Sequence, residues 1–156
     1  MDSKLKKFVK GHSAFQKVKF KKNEERFKRL VEQGQNPKAL FIGCSDSRVM
    51  PDMITGAKPG DLFIIRNIGN FVAPYKPDED YHSTASAIEY AVSMLEVSDI
   101  IVCGHSHCGA IEALYTDLPQ TAENLHTIKW LELGKEAKKL LRLPTKTKTV
   151  QRCCAT

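Results

Sequence analysis

The segment Ala39-Leu-Phe-Ile-Gly-Cys44-Ser-Asp46-Ser-Arg48 joins an apolar run to a cluster of reactive side chains. Residues 39–43 show no alternation of polar and apolar side chains, which predicts a strand buried on both faces, as in a parallel sheet covered by helices. Two more runs of this kind, Leu62-Phe-Ile-Ile65 and Ile100-Ile-Val-Cys103, predict two further strands. The third is followed at once by His105-Ser-His107-Cys108-Gly109. Ligands of open α/β sheets gather beyond the carboxyl ends of the strands. Parallel neighbours would therefore bring Cys44, His105 and Cys108 to one spot across a separation of 61 residues between the first two.

Helical patterns lie between the strands. Phe20, Glu24, Phe27 and Val31 keep a helical period that Gly34 and Pro37 stop. Residues 83–96 place Ile88, Ala91, Val92 and Leu95 on one face, with Ser83 or Thr84 as the expected cap. Residues 109–115 open another helix. Trp130, Leu133, Ala137, Leu140 and Leu141 line a last one, terminated by Pro144. The order helix, strand, strand, helix, strand, helix, helix predicts an α/β domain with a mainly parallel β-sheet flanked by helices. It is expected to fill residues 1–144, with a helical N-terminal arm at 1–37 and a loose tail at 145–156.

Composition narrows the class. The chain has 156 residues, 42% hydrophobic and 27% charged, which is ordinary for one globular domain and excludes a disordered or disulfide-stapled chain. The longest apolar runs are too short to span a bilayer, and residues 1–10 hold no continuous apolar core, so no secretory leader is expected. Five cysteines are an odd count. They fit a reducing cytoplasm with free or metal-bound thiols. The net charge of +6 sits at the ends: residues 1–38 carry 12 basic against 4 acidic groups, and residues 39–128 carry 4 against 12. Lys17, Lys21, Lys22 and Lys28 follow helical spacing, so a solvated basic face is expected rather than a nucleic-acid site.

Two thiolates and an imidazole suit Zn²⁺, and three protein ligands leave a fourth position open, the mark of a catalytic zinc. Asp46 stands where it can accept a hydrogen bond from an attacking hydroxide, and Arg48 where it can pair with Asp46 bidentately and keep it ionised. A helix opening at Gly109 favours thiolates at its positive end. Cys103 reads as a small apolar residue of a strand end. His12, His82 and His126 have no partners at motif spacing and are expected at the surface. His107 is open to a proton-relay role, and Cys153 and Cys154 read as inert.

At these residues the chain resembles the β-class carbonic anhydrases. Cys-Ser-Asp-Ser-Arg-Val at 44–49 and Gly-His-Ser-His-Cys-Gly-Ala at 104–110 look like the two signatures of that family, and 58–70 and 86–92 look like further family segments. The resemblance implies reversible hydration of CO₂ to bicarbonate, Zn²⁺ on Cys44, His105 and Cys108, and an Asp46–Arg48 dyad. It implies a substrate pocket with Gln35 as donor, Phe63, Ile68 and Tyr90 as apolar lining, and Gly109 at its edge. It also implies a homodimer or higher homo-oligomer whose subunits share pocket residues and, with Gln35 and Tyr90 together and Phe41 where a related subgroup has tryptophan, an open site in which Asp46 does not bind metal. The charge spacing and the short apolar runs leave no nucleic-acid or membrane partner expected. The family continues past the last helix into further strands, so the sheet is expected to expose an edge and an apolar face. A silent zinc-binding domain, a thiol sensor, and hydrolysis of CS₂ or COS stay open as alternatives.

Overall fold

The structure is a computed structural model that describes residues 3–141 apart from Glu79. The expected tail at 145–156, with Cys153 and Cys154, and the stop at Pro144 lie outside the described residues. The chain divides into two compact units, one ending at Asn36 and one beginning at Pro37.

In the first unit, α1 (Ser3–Ala14) runs into a π-helical stretch (Phe15–Phe20), and α2 (Glu24–Glu32) follows. Phe20 and Phe27 stack at 5.0 Å, with Phe15 edge-on to both, the geometries that ring quadrupoles favour. Val31 stays exposed. Lys17, Lys21, Lys22 and Lys28 face solvent, and Lys28 pairs with Glu24 and Glu25. Gly34, at φ +77°, takes the left-handed turn that ends the unit's last helix.

The second unit is built on three parallel strands, β1 (Ala39–Cys44), β2 (Leu62–Asn67) and β3 (Asp99–Cys103), in the order β2-β1-β3. Cys44 lies opposite Asn67 and Gly43 opposite Cys103. Every residue of β1 is buried. On one face Leu40 and Ile42 pack with Ala91, flanked by Phe63, Ile65, Ile88 and Val97. On the other, the Phe41 ring lies over Gly43, where an added Cβ would meet it at 2.8 Å.

Burial on both faces holds for β1 alone. β2 alternates between half-buried and exposed, and Ile100, Ile101 and Val102 of β3 are 48%, 40% and 53% exposed. The reason is position. An unbroken apolar run marks a strand's composition, whereas only the middle strand of three has neighbours on both edges, and no strand pairs with the far edge of β3 among the described residues.

Helices α3 (Pro51–Thr55), α4 (Ser83–Glu89), α5 (Gly109–Ala113), α6 (Leu125–Leu131) and α7 (Lys135–Leu141) complete the unit. The helix expected over 83–96 departs from its pattern in two ways. Its cap residue is His82, which makes no side-chain cap bond, and Thr84 instead accepts a hydrogen bond from Asn67. After Glu89 the chain passes into a π-helical turn (Tyr90–Met94). The extra residue in that turn keeps Ala91 buried but swings Val92 out to solvent. The last helix is likewise interrupted, by a tighter turn at Glu132–Gly134. Leu131 and Gly134 are buried there, while Ala137 and Leu140 are exposed. Lys138 fixes α7 by donating to the Leu114 carbonyl and lying over the Tyr115 ring at 5.1 Å.

Gly69 follows β2 at φ +77°, and a Cβ there would meet Phe71 at 3.0 Å and Ala110 at 3.1 Å. Gly69→Ala therefore combines a left-handed backbone penalty with overpacking and is expected to lower stability by about 2–4 kcal/mol. Urea unfolding checks this; an unchanged midpoint would contradict it.

Candidate metal centre

The carboxyl ends of the three strands carry the reactive residues. Cys44 is the last residue of β1, His105 follows β3 by two residues, and Cys108 immediately precedes α5. Cys44 and Cys108 are buried, together with Val49. One ligand atom from each of Cys44, His105 and Cys108 lies within 4.8 Å of the other two. The sulfurs of Cys44 and Cys108 stand 3.8 Å apart.

Two observations test whether these residues fit a metal. Two thiolates each about 2.3 Å from one zinc at a tetrahedral angle lie about 3.8 Å apart, which is the separation observed. Nε2 of His105 is buried and makes no hydrogen bond. A buried imidazole nitrogen left unpaired costs free energy, and a metal ion is the partner that two neighbouring sulfurs would share with it. The donor set fits zinc.

Burial pushes the Cys44 thiol up, but the N–H groups of Asp46 and Gly69, with His105 and Cys108, outweigh it and hold it below its ordinary value. The Cys108 thiol is pushed up, chiefly by burial and also by the neighbouring Cys44, against the N–H groups of Ile111 and Ala110 at the start of α5. Two sulfurs 3.8 Å apart disfavour each other's ionisation, and a cation held by both would relieve the conflict.

Asp46 and Arg48 form the bidentate pair that their spacing suggested. Nε of Arg48 donates to Oδ1 at 2.9 Å and Nη2 donates to Oδ2 at 2.7 Å. The Arg48 backbone N–H adds a third bond to Oδ1. The Arg48 guanidinium thus holds the Asp46 carboxyl well below the usual carboxylate range. Oδ2 lies 3.9 Å from Nε2 of His105, at the rim of the ligand group.

Three contributors were not read from the sequence. Arg66 of β2 donates to the carbonyl of Cys44 at 2.9 Å and to that of Asp46 at 2.6 Å, clamping the loop that carries both. The Asn67 carbonyl accepts the Ser45 N–H at 2.8 Å. The His107 carbonyl accepts from Arg48 at 2.8 Å. Only Arg66 left a signal, a charge closing an otherwise apolar run. Arg66→Met removes both clamping bonds and is expected to weaken zinc binding about 10- to 100-fold, the usual cost of a lost outer-shell partner. Chelator competition reads it, and unchanged affinity would contradict the clamp.

The pocket residues are spread more widely. Ile68 follows β2 directly, and its carbonyl accepts from Trp130 at 2.7 Å. Gly109 is exposed at the start of α5. Phe63 and Tyr90 stack on each other at 5.8 Å, but Phe63 pairs with Leu40, four residues before Cys44 along the sheet. Gln35 is exposed in the N-terminal unit. Cys103 is half-buried, with its thiol toward the Gly104 carbonyl. His12 and His126 are exposed. His82 is not without a partner. It bonds Asp78 at 2.6 Å, a contact across four residues that the motif spacing did not suggest, and the other oxygen of Asp78 is held by Lys76.

A family model described as Carbonic anhydrase matches residues 39–155. The chain belongs to the β-carbonic anhydrase family. A carbonic anhydrase of Pseudomonas aeruginosa is 43% identical over 127 residues, covering 78% of this chain and 56% of that protein. The structure of the β-carbonic anhydrase CcaA superposes with TM-score 0.77 at 38% identity, over 90% of this chain and 61% of that one. A tetrameric β-carbonic anhydrase of Sordaria macrospora superposes at 0.75 with 33% identity, over 93% and 72% of the two chains. The chain spans about half the length of the curated β-carbonic anhydrase relatives it matches. The family match runs to residue 155, through the stretch 145–156 expected to be a loose tail. Among the described residues no helix is long and apolar enough to cross a membrane.

Proposed function

We propose that this chain is a zinc-dependent carbonic anhydrase, a lyase that interconverts CO₂ and bicarbonate. The observation that carries the reading is the meeting of Cys44 Sγ, Cys108 Sγ and the unpaired His105 Nε2 beside a carboxylate held by arginine. Cys44, His105 and Cys108 would hold the metal, whose chemistry is to lower the pKa of water to about 7. Asp46 accepts a hydrogen bond from the nucleophile and so aims its lone pair at the carbon of CO₂. Arg48 keeps Asp46 ionised and, by engaging both its oxygens, would leave the metal to Cys44, His105 and Cys108, the open form.

Gln35 is assigned to orient substrate, and Phe63, Ile68 and Tyr90 to line an apolar slot with Gly109 at its edge. Because Phe63 pairs with Leu40, four residues back from Cys44, and Tyr90 stacks on Phe63, we assign both to the pocket of a second copy in a homodimer or larger assembly. A cytoplasmic home is part of the same reading. Stopped-flow CO₂ hydration by the zinc-loaded chain, with and without a chelator, tests it. Hydration well above the buffer rate that the chelator abolishes is expected. A second reading, a zinc-binding domain without turnover, draws on the exposed face of β3; zinc bound with no hydration would establish it instead.

A further inference from the structure

We propose that His107 is a positioning residue that acts through its backbone, its carbonyl tying the segment that carries His105 and Cys108 to the one that carries Cys44 and Asp46. This rests on the metal-site reading above. His107 has φ +54°, and among the described non-glycine residues only Asn70 and Glu96 share that sign. Neither of those lies within a ligand-bearing segment. Left-handed backbone is unfavourable for a residue with a Cβ and persists where surrounding structure demands it.

What the conformation achieves here is visible. The His107 carbonyl reaches Nη2 of Arg48 at 2.8 Å. The same guanidinium grips both oxygens of Asp46, and the Asp46 N–H donates to Cys44 Sγ at 3.4 Å. A continuous chain of polar contacts thus runs from the turn between His105 and Cys108, through Arg48 and Asp46, to the Cys44 sulfur. It crosses between two segments 59 residues apart in sequence. The imidazole of His107, exposed, takes no part in it.

The consequence is a ranking by backbone rather than by side-chain chemistry. Glycine and asparagine adopt left-handed backbone readily, alanine less so, and β-branched valine least of all. His107→Gly and His107→Asn are expected to keep wild-type zinc affinity and the wild-type visible spectrum of the cobalt-substituted chain. His107→Val is expected to lose tenfold or more in zinc affinity, as for other outer-shell changes, with an altered cobalt spectrum. His107→Ala should fall between, and supplies the same ranking if the valine variant does not fold. Thermal unfolding of the metal-free variants should follow the same order, which reads the tie even if the wild type takes up no zinc. The proposal is overturned if valine matches wild type. It is equally overturned if glycine and asparagine lose hydration that added imidazole restores while their metal binding is intact, since that pattern belongs to a proton relay.

Discussion

Replacing Cys44 by serine is expected to weaken zinc binding by more than the roughly 100-fold that loss of an outer-shell partner costs. A serine hydroxyl does not ionise near neutral pH, so the site would keep one sulfur and one imidazole where the wild type offers two sulfurs and one imidazole. The fold should survive, because serine is no larger than cysteine. A buried hydroxyl left without a partner at a position only 4% exposed adds a stability cost of about 1–3 kcal/mol. Metal analysis and chelator competition on the folded variant check this. A variant that still takes one zinc per chain at wild-type affinity would remove Cys44 from the ligand set.

Asp46→Asn is expected to keep a zinc site, with affinity lowered about tenfold as for other breaks in the tie through Arg48. In the zinc-saturated chain it is expected to cut kcat/KM for CO₂ hydration about 100-fold or more, the range in which a positioned proton acceptor matters. The amide is isosteric but can offer only one acceptor atom, and its NH₂ would face the donors of Arg48 that now bind the second oxygen. Arg48 would lose its anchor and the nucleophile its acceptor. Because Arg48 holds the wild-type carboxyl well below the usual range, Asp46 is ionised throughout neutral and mildly acidic pH. The deficit should therefore be the same across that window rather than vanish at its acid end. Full activity in the variant would refute the dyad.

The second prediction depends on geometry that was legible in the sequence, and the first on geometry that was only half legible. An apolar run ending in Cys44 announces a strand with chemistry at its carboxyl end, and the same syntax recurs before His105. The parallel pairing that brings the two ends together follows. The bidentate Asp46–Arg48 pair also follows from spacing alone. What stayed hidden is whatever depends on neighbours distant in sequence. That the sheet would expose an edge and an apolar face was expected from the family resemblance, but nothing in Ile100-Ile-Val-Cys103 itself says that this strand is the one, since an edge is defined by the strand beside it. The five-residue helix at Pro51–Thr55 is shorter than any window in which a period can be seen. The π-helical turn at Tyr90–Met94 defeats a strict 3.6-residue period, so Val92, which that period places on the buried face, is exposed. Backbone carbonyls leave no trace in residue identities. The grip of Arg66 on Cys44 and Asp46, and of Arg48 on His107, became visible only in three dimensions.

X-ray absorption at the zinc edge of the purified, zinc-loaded chain addresses the ligand set directly. Two sulfur scatterers at about 2.3 Å and lighter atoms at about 2.0–2.1 Å are expected from Cys44, Cys108, His105 and one exchangeable position. A shell made of nitrogen and oxygen alone, or of four sulfurs, would contradict the metal centre described here.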